Sequence, residues 1–203
     1  FNNHFERTQA ELAKDSTVDF VLWPENSVDV DPFLNKDVNK ALNSIDKPLI
    51  IGAILGKGNK FLNTSILWGG ELPPIYVKQH LTPFGEYIPL RPILGWLDKL
   101  VPIGGDFQRG TEARPLLVPV RSGQVRVGVL ICYEDIFPEF ARASTLAGAE
   151  MLAVLTNDAW FGEGGAAYQH AASSVLRAVE TRRPVLRCGN SGWSGWIDEF
   201  GNI

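Results

Sequence analysis

Short apolar runs rich in β-branched residues, each closed by Gly, Pro, Asn or a charged residue, recur along this chain and alternate with segments of near-helical spacing. Strands are predicted over 18–23, 49–55, 61–68, 75–78, 115–120, 125–131, 151–155, 184–188 and 193–197. Helices are predicted over 3–14, 33–45, 93–100, 137–148 and 168–182. Several predicted strands are sequence neighbours joined by tight turns, at Gly56-Lys57-Gly58-Asn59, Arg121-Ser122-Gly123-Gln124 and Gly189-Asn190-Ser191-Gly192, and Gly69-Gly70 closes the run at 61–68. Hairpins of that kind do not occur in an all-parallel sheet. The expectation is therefore an α/β layered domain with a mixed sheet.

At 203 residues the chain suits one domain, taken here as 1–203. Apolar residues make up 45% and charged residues 21%, enough for a sizeable core and too apolar for disorder. The net charge is −4 and no Lys/Arg cluster occurs, which argues against nucleic acid as a partner. Two cysteines are too few for a disulfide framework, and free thiols are expected. No apolar stretch reaches the roughly 18–20 residues that span a bilayer. The chain begins at Phe1 and stops just past a turn at Gly201-Asn202-Ile203, so it is expected to be an internal piece of a longer polypeptide.

Three of the apolar runs end in reactive groups. Val-Gly-Val-Leu-Ile delivers Cys132, Val-Asp-Phe-Val-Leu-Trp-Pro delivers Glu25, and Ile-Tyr-Val delivers Lys78. A free thiol is mostly protonated at neutral pH and needs a base or a positive field to react. A partly buried glutamate can take the proton, and a fixed ammonium can stabilise the oxyanion formed when a thiolate attacks a carbonyl. Cys132, Glu25 and Lys78 together thus suit acyl transfer through a thioester. The three histidines, His4, His80 and His170, show no metal-ligand spacing, and neither metal nor cofactor is expected.

Each residue also has a plainer role. A cysteine in an apolar setting is commonly a small buried hydrophobe, a glutamate after proline a helix N-terminal charge, and a lysine a surface group. His170 is expected to be a structural hydrogen-bonder, and Cys188 and Ser191 are expected in a loop without assigned role. The segment 79–97 is apolar for a connection, with Phe84, Tyr87 and Trp96 among its residues. It suits either a lid that meets lipid or a loop packed on its own domain.

Three segments carry a resemblance. Leu-Trp-Pro-Glu (22–25), Val-Lys-Gln-His-Leu-Thr-Pro-Phe-Gly-Glu-Tyr-Ile-Pro-Leu (77–90) and Ile-Cys-Tyr-Glu-Asp (131–135) follow the order of the nitrilase, or carbon–nitrogen hydrolase, superfamily. Within it they resemble the apolipoprotein N-acyltransferase family, and Leu-Thr-Asn-Asp-Ala-Trp-Phe-Gly (155–162), Gln169-His170 and Arg-Pro-Val-Leu-Arg (183–187) extend the likeness. The resemblance implies an α-β-β-α sandwich, incomplete at both ends, with Glu25 as general base, Lys78 as oxyanion stabiliser and Cys132 as nucleophile. It also implies supporting roles for Glu86, Tyr133 and Glu134. The implied partners are a phospholipid acyl donor and the α-amine of a diacylglyceryl-cysteine at a lipoprotein N-terminus. The implied location is the bacterial inner membrane, reached through segments outside this chain, with the catalytic domain facing the periplasm. A soluble amidase or nitrilase with the same triad is the alternative, and a catalytically inactive binding domain is a third.

Overall fold

A computed structural model describes residues 1–69, 73–96, 106–162 and 164–203. It contains two facing sheets with helices on both outer faces. The first sheet has the order β1-β2-β3-β4, from Val21–Leu22, Leu49–Lys57, Lys60–Trp68 and Ile75–Val77. The second has the order β5-β6-β7-β8-β9, from Leu116–Val120, Gly123–Ile131, Met151–Thr156, Val185–Gly189 and Gly195–Ile197. Both sheets are mixed. In the first, β1 runs parallel to β2 while β2–β3 and β3–β4 are antiparallel; in the second, β6–β7 and β7–β8 are parallel between antiparallel edges. The two mixed sheets between outer helices are the α-β-β-α sandwich expected, and the strands of the second sheet begin only after the long connection that follows β4.

The strands' two-residue period sorts their side chains between layers. Ile50 and Leu67 of the first sheet meet Val127, Val129, Ile131, Ala153 and Leu155 of the second in a dry inter-sheet core. The alternate residues Leu49, Ile51, Ala53 and Ile66 face outward and pack with Phe5 of α1 (Asn2–Lys14) and Leu42 of α2 (Lys36–Asn43). On the other side, Leu130, Leu152 and Val154 pack with Ala141 of α4 (Pro138–Leu146) and Ala178 of α5 (Ala166–Thr181). Helices α4 and α5 are the crossovers between the parallel strands β6, β7 and β8, so the turns leaving those strands share one rim, where α/β sheets place their sites.

Two predicted elements differ. The run 18–23 pairs with β2 only over Val21–Leu22; the Trp23 N–H donates to the Ile50 carbonyl at 2.8 Å, and Pro24, next in the chain, has no N–H to continue the ladder. A short helix α3 spans Arg91–Leu94, starting earlier than the helix predicted over 93–100; residues 97–100, like Gly70, lie outside the described residues. Among the described residues, no helix is long and apolar enough to cross a membrane.

Candidate active site

The inter-sheet core ends in polar groups at the rim. On β3 the inward position of Leu67 recurs at Ser65 and Asn63, and beyond β4 the inward position of Tyr76 recurs at Lys78. Across the gap, Ile131 is the last inward residue of β6, and Cys132 follows it in a left-handed turn with φ +50°. A non-glycine residue held there stores roughly 1–3 kcal/mol of backbone strain. Glu25 is brought to the same rim by the turn after β1, which presses on β2 at Gly52. A Cβ at Gly52 would lie 2.4 Å from the Pro24 carbonyl oxygen and 2.7 Å from the Glu25 Cα, so any side chain there would displace the glutamate.

Glu25, Lys78 and Glu86 are all buried, Lys78 to 1% exposure. The Lys78 Nζ lies 3.5 Å from Glu25 Oε1 and 3.0 Å from Glu86 Oε2, and 3.4 Å from the Thr82 hydroxyl. Asn63 bridges the two carboxylates, its Nδ2 donating to Glu25 Oε1 at 2.8 Å and to Glu86 Oε1 at 2.7 Å. The backbone N–H of Thr82 donates to Glu86 Oε2, and that of Asn157 to Glu25 Oε2 at 3.1 Å. Burial alone would lower the Lys78 pKa, but Glu25, Glu86 and Cys132 more than offset it and leave the ammonium well above its ordinary value. Lys78 is therefore a fixed positive charge rather than a surface lysine.

The Cys132 thiol lies within the influence of the Glu25 carboxylate, the Lys78 ammonium and the Thr156 hydroxyl. Burial and the Glu25 charge push this thiol up to about 12, against the opposing pull of Lys78. The resting group is a protonated thiol with a carboxylate and an ammonium close by.

Glu134 joins the Cys132 turn to the lysine strand. Its carboxylate accepts from the Ile131 N–H at 2.8 Å, from the Gln79 and His80 N–H groups, and from the Tyr76 hydroxyl at 2.9 Å. Burial raises its pKa above the ordinary value even with three backbone N–H donors pulling it down. Glu134→Gln turns an acceptor-only group into one whose amide hydrogens face other donors. It is expected to cost about 1–3 kcal/mol of stability per donor left unpaired, read as a lower denaturant midpoint; an unchanged midpoint would refute the clamp. Tyr133 packs its ring against His80 and Phe137, at centroid distances of 5.7 and 5.2 Å.

The segment 79–97 divides between its two expected roles. Leu81, Glu86 and Ile88 are buried against the domain, while Phe84, Leu90, Ile93 and Trp96 are exposed and Tyr87 is half-buried. Trp160 and Phe161 on the β7–α5 connection, and Tyr168 in the first turn of α5, add exposed aromatic surface. Cys188 belongs to strand β8 rather than to a loop; burial raises its pKa to about 11, and its Sγ points at the Leu22 carbonyl oxygen at 3.4 Å. Ser191 does lie in the loop, donating to Asn157 Oδ1 at 3.3 Å. Both cysteines are free, and among the described residues no cluster of three His, Cys, Asp or Glu side chains could hold a metal ion.

Sequence reasoning assigned no role to Asn63, Thr82 or Thr156. Asn63 had a legible signal, a carboxamide at an inward position of a largely buried strand. Thr82 meets Lys78 and Glu86 within its own loop, while Thr156 comes beside Cys132 only through the fold.

The family model described as carbon-nitrogen hydrolase matches residues 8–203. Proteins named apolipoprotein N-acyltransferase from Geobacter metallireducens and Azotobacter vinelandii are each 35% identical to this chain, over 98% and 95% of its length. The chain spans only 39% and 38% of the lengths of those two curated relatives. The crystal structure of a carbon-nitrogen hydrolase from Helicobacter pylori G27 has a TM-score of 0.71 at 15% identity, covering 99% of this chain and 78% of that one. At that identity the likeness is one of fold.

Proposed function

The chain belongs to the carbon-nitrogen hydrolase family, and from that premise we propose that it is the catalytic part of an enzyme that N-acylates lipoproteins through a Cys132 thioester. The observation that carries the proposal is the buried constellation itself: a thiol that feels the Glu25 and Lys78 charges, with the Lys78 ammonium 3.5 Å from the Glu25 carboxylate. The names of the relatives support lipoproteins as acceptors.

In the first half-reaction Glu25 takes the Cys132 proton as the sulfur attacks an ester carbonyl of a phospholipid. The oxyanion forms within reach of Lys78, whose charge is held in place by Glu25, Glu86 and Thr82 before the substrate arrives, so little reorganisation is needed during the reaction. Collapse of the tetrahedral species breaks the ester C–O bond, and the proton on Glu25 passes to the departing lysophospholipid oxygen. In the second half-reaction the α-amine of a diacylglyceryl-cysteine attacks the thioester. Glu25 removes the amine proton and returns it to the sulfur as the C–S bond breaks. A thiol whose pKa is near 12 is a poor nucleophile without such a base. Glu86 and Asn63 hold the base and the ammonium in register.

Membrane-embedded substrates account for the exposed Phe84, Leu90, Ile93 and Trp96 on the segment that also carries Glu86. This reading puts the domain at the periplasmic face of a bacterial inner membrane, where both substrates can present their head groups to it.

The test uses the full-length protein with phospholipid vesicles and a diacylated lipopeptide. An acyl adduct should form on Cys132 without the lipopeptide and be discharged as N-acyl product when it is added. If the adduct is instead lost as free fatty acid at the same rate with and without lipopeptide, the protein is a hydrolase. Glu25→Gln keeps the shape but accepts no proton, and should slow adduct formation by about 100- to 10,000-fold. Adduct formation at the parent rate would remove Glu25 from the role of base.

A further inference from the structure

Behind the nucleophile lies a buried polar network that the chemistry above does not use. Arg187 on β8 is fully enclosed, with Nη1 2.8 Å from Asp135 Oδ2 and Nη2 3.1 Å from Asp158 Oδ2. Ser174 on α5 donates to the same Asp135 oxygen at 2.7 Å. Asp158 in turn meets His170 Nδ1 at 2.8 Å and accepts from the Thr156 hydroxyl at 2.8 Å. His170, on α5, places its other nitrogen, Nε2, 3.1 Å from the carbonyl oxygen of Cys132.

Buried charges are expensive, and a cluster of an arginine, two aspartates and a histidine persists only where its geometry closes on itself. This one ties α5, β8 and the turns after β6 and β7 into one framework, and its single outward contact with the nucleophile's backbone is through His170. A carbonyl oxygen can only accept, so Nε2 carries the hydrogen. Cys132 needs such a restraint, because its left-handed backbone is strained and is not self-supporting in an L-residue. The Ile131 N–H is fixed by Glu134 on one side of the turn. On the other side only His170, among the described residues, reaches the Cys132 carbonyl with a side chain.

We infer that His170 is the positioning residue of the nucleophile: its Nε2–H, anchored through Asp158 and Arg187, locks the Cys132 carbonyl and with it the direction of the thiol. The inference rests on Cys132 being the nucleophile. It does not involve substrate contact, so loss of the lock should lower the rate of adduct formation and leave the donor concentration at half-saturation unchanged.

The measurement is the rate of acyl adduct formation on Cys132 in the full-length protein, over a range of phospholipid concentrations, beside the melting temperature of each variant. His170→Gln retains an N–H donor at similar reach and should remain within about fivefold of the parent. His170→Leu fills the space without a donor and should fall by about 50-fold or more at saturation, since small misplacements of a reacting group cost on the order of 100-fold. A folded His170→Leu protein that forms the adduct at the parent rate overturns the inference. So does a folded His170→Gln protein as slow as the leucine variant, or a leucine variant whose whole loss lies in half-saturation. Should His170→Leu fail to fold, the glutamine variant decides alone: retained rate supports the lock and lost rate in a folded protein overturns it. Cys132→Ala, run in parallel, separates the two ideas. N-acylation by that variant sinks the nucleophile assignment, whereas an inactive Cys132→Ala beside a normal His170→Leu sinks only the lock.

Discussion

Cys132→Ala should abolish both the acyl adduct and N-acylation, a loss of at least about 10,000-fold, as removal of a covalent nucleophile does where no other group can form the intermediate. The fold should survive. Alanine has the same backbone preferences as cysteine in the left-handed turn, and the thiol is one partly buried atom beside the inter-sheet core, so truncation should cost no more than about 1–2 kcal/mol. Cys132→Ser is nearly as severe a test. A serine hydroxyl is far more basic as an anion than a thiolate, and Glu25 would have to remove a proton from a much weaker acid. The checks are mass spectrometry of the intact protein after exposure to phospholipid and a thermal melt of each variant. An alanine variant that melts like the parent and still N-acylates a lipopeptide would end the thioester mechanism.

Lys78→Ala should fail in two ways at once. The oxyanion loses its only ammonium among the described residues of the site, a loss of about 100- to 1,000-fold in rate. In addition, Glu25 and Glu86 stay buried and bridged by Asn63 with no cation between them, and breaking a buried pair in this way typically costs about 3–5 kcal/mol. The Lys78 pKa is raised in the folded protein, so its stabilisation is fully present below the ordinary lysine range. It is lost only as the pH climbs through the higher folded value. The intact protein should therefore keep this contribution across the neutral range, and Lys78→Ala should be less stable throughout it. Denaturant titration at pH 7 measures the second effect, and adduct formation in the surviving folded fraction measures the first. A variant with parent stability would show that the two carboxylates do not depend on Lys78; one with parent rate would show that the oxyanion does not.

Much of the architecture was legible because strands and helices print different periods. The run from Val127 to Ile131 read as a buried strand, and β6 ends at Ile131 with Cys132 next. The hairpins at Gly58 and Gly123 marked antiparallel neighbours, and both are present. The strand periods alone did not divide the strands between two sheets; the resemblance of the motifs did, by implying an α-β-β-α sandwich. The segment 79–97 also shows why apolar composition does not fix exposure. Ile88 is buried and Leu90, two residues on, is open, because the chain turns at Pro89-Leu90 with Leu90 in a left-handed conformation (φ +48°), so the two do not share a face.

At the site, Glu25, Lys78 and Cys132 stood out one by one because a reactive group at the end of an apolar run is visible locally. Their meeting was not. Glu25 and Glu86 share Asn63, and Glu134 joins the Cys132 turn to Gln79 and His80; these are contacts between distant parts of the chain that no spacing encodes. Arg187 is the clearest case. In the sequence it stands only as the last residue of the run Arg-Pro-Val-Leu-Arg, with no role assigned, yet it is wholly enclosed between Asp135 and Asp158. By itself the sequence determined which strands would carry a thiol, a carboxylate and an ammonium to their ends, because strand period and residue chemistry are local. Only the tertiary structure decided that these ends share one dry rim, that Asn63 and Glu134 hold them there, and that His170 reaches the Cys132 carbonyl. Burial and charge pairing are properties of the assembled layers, and they keep Lys78 an ammonium and Cys132 a thiol.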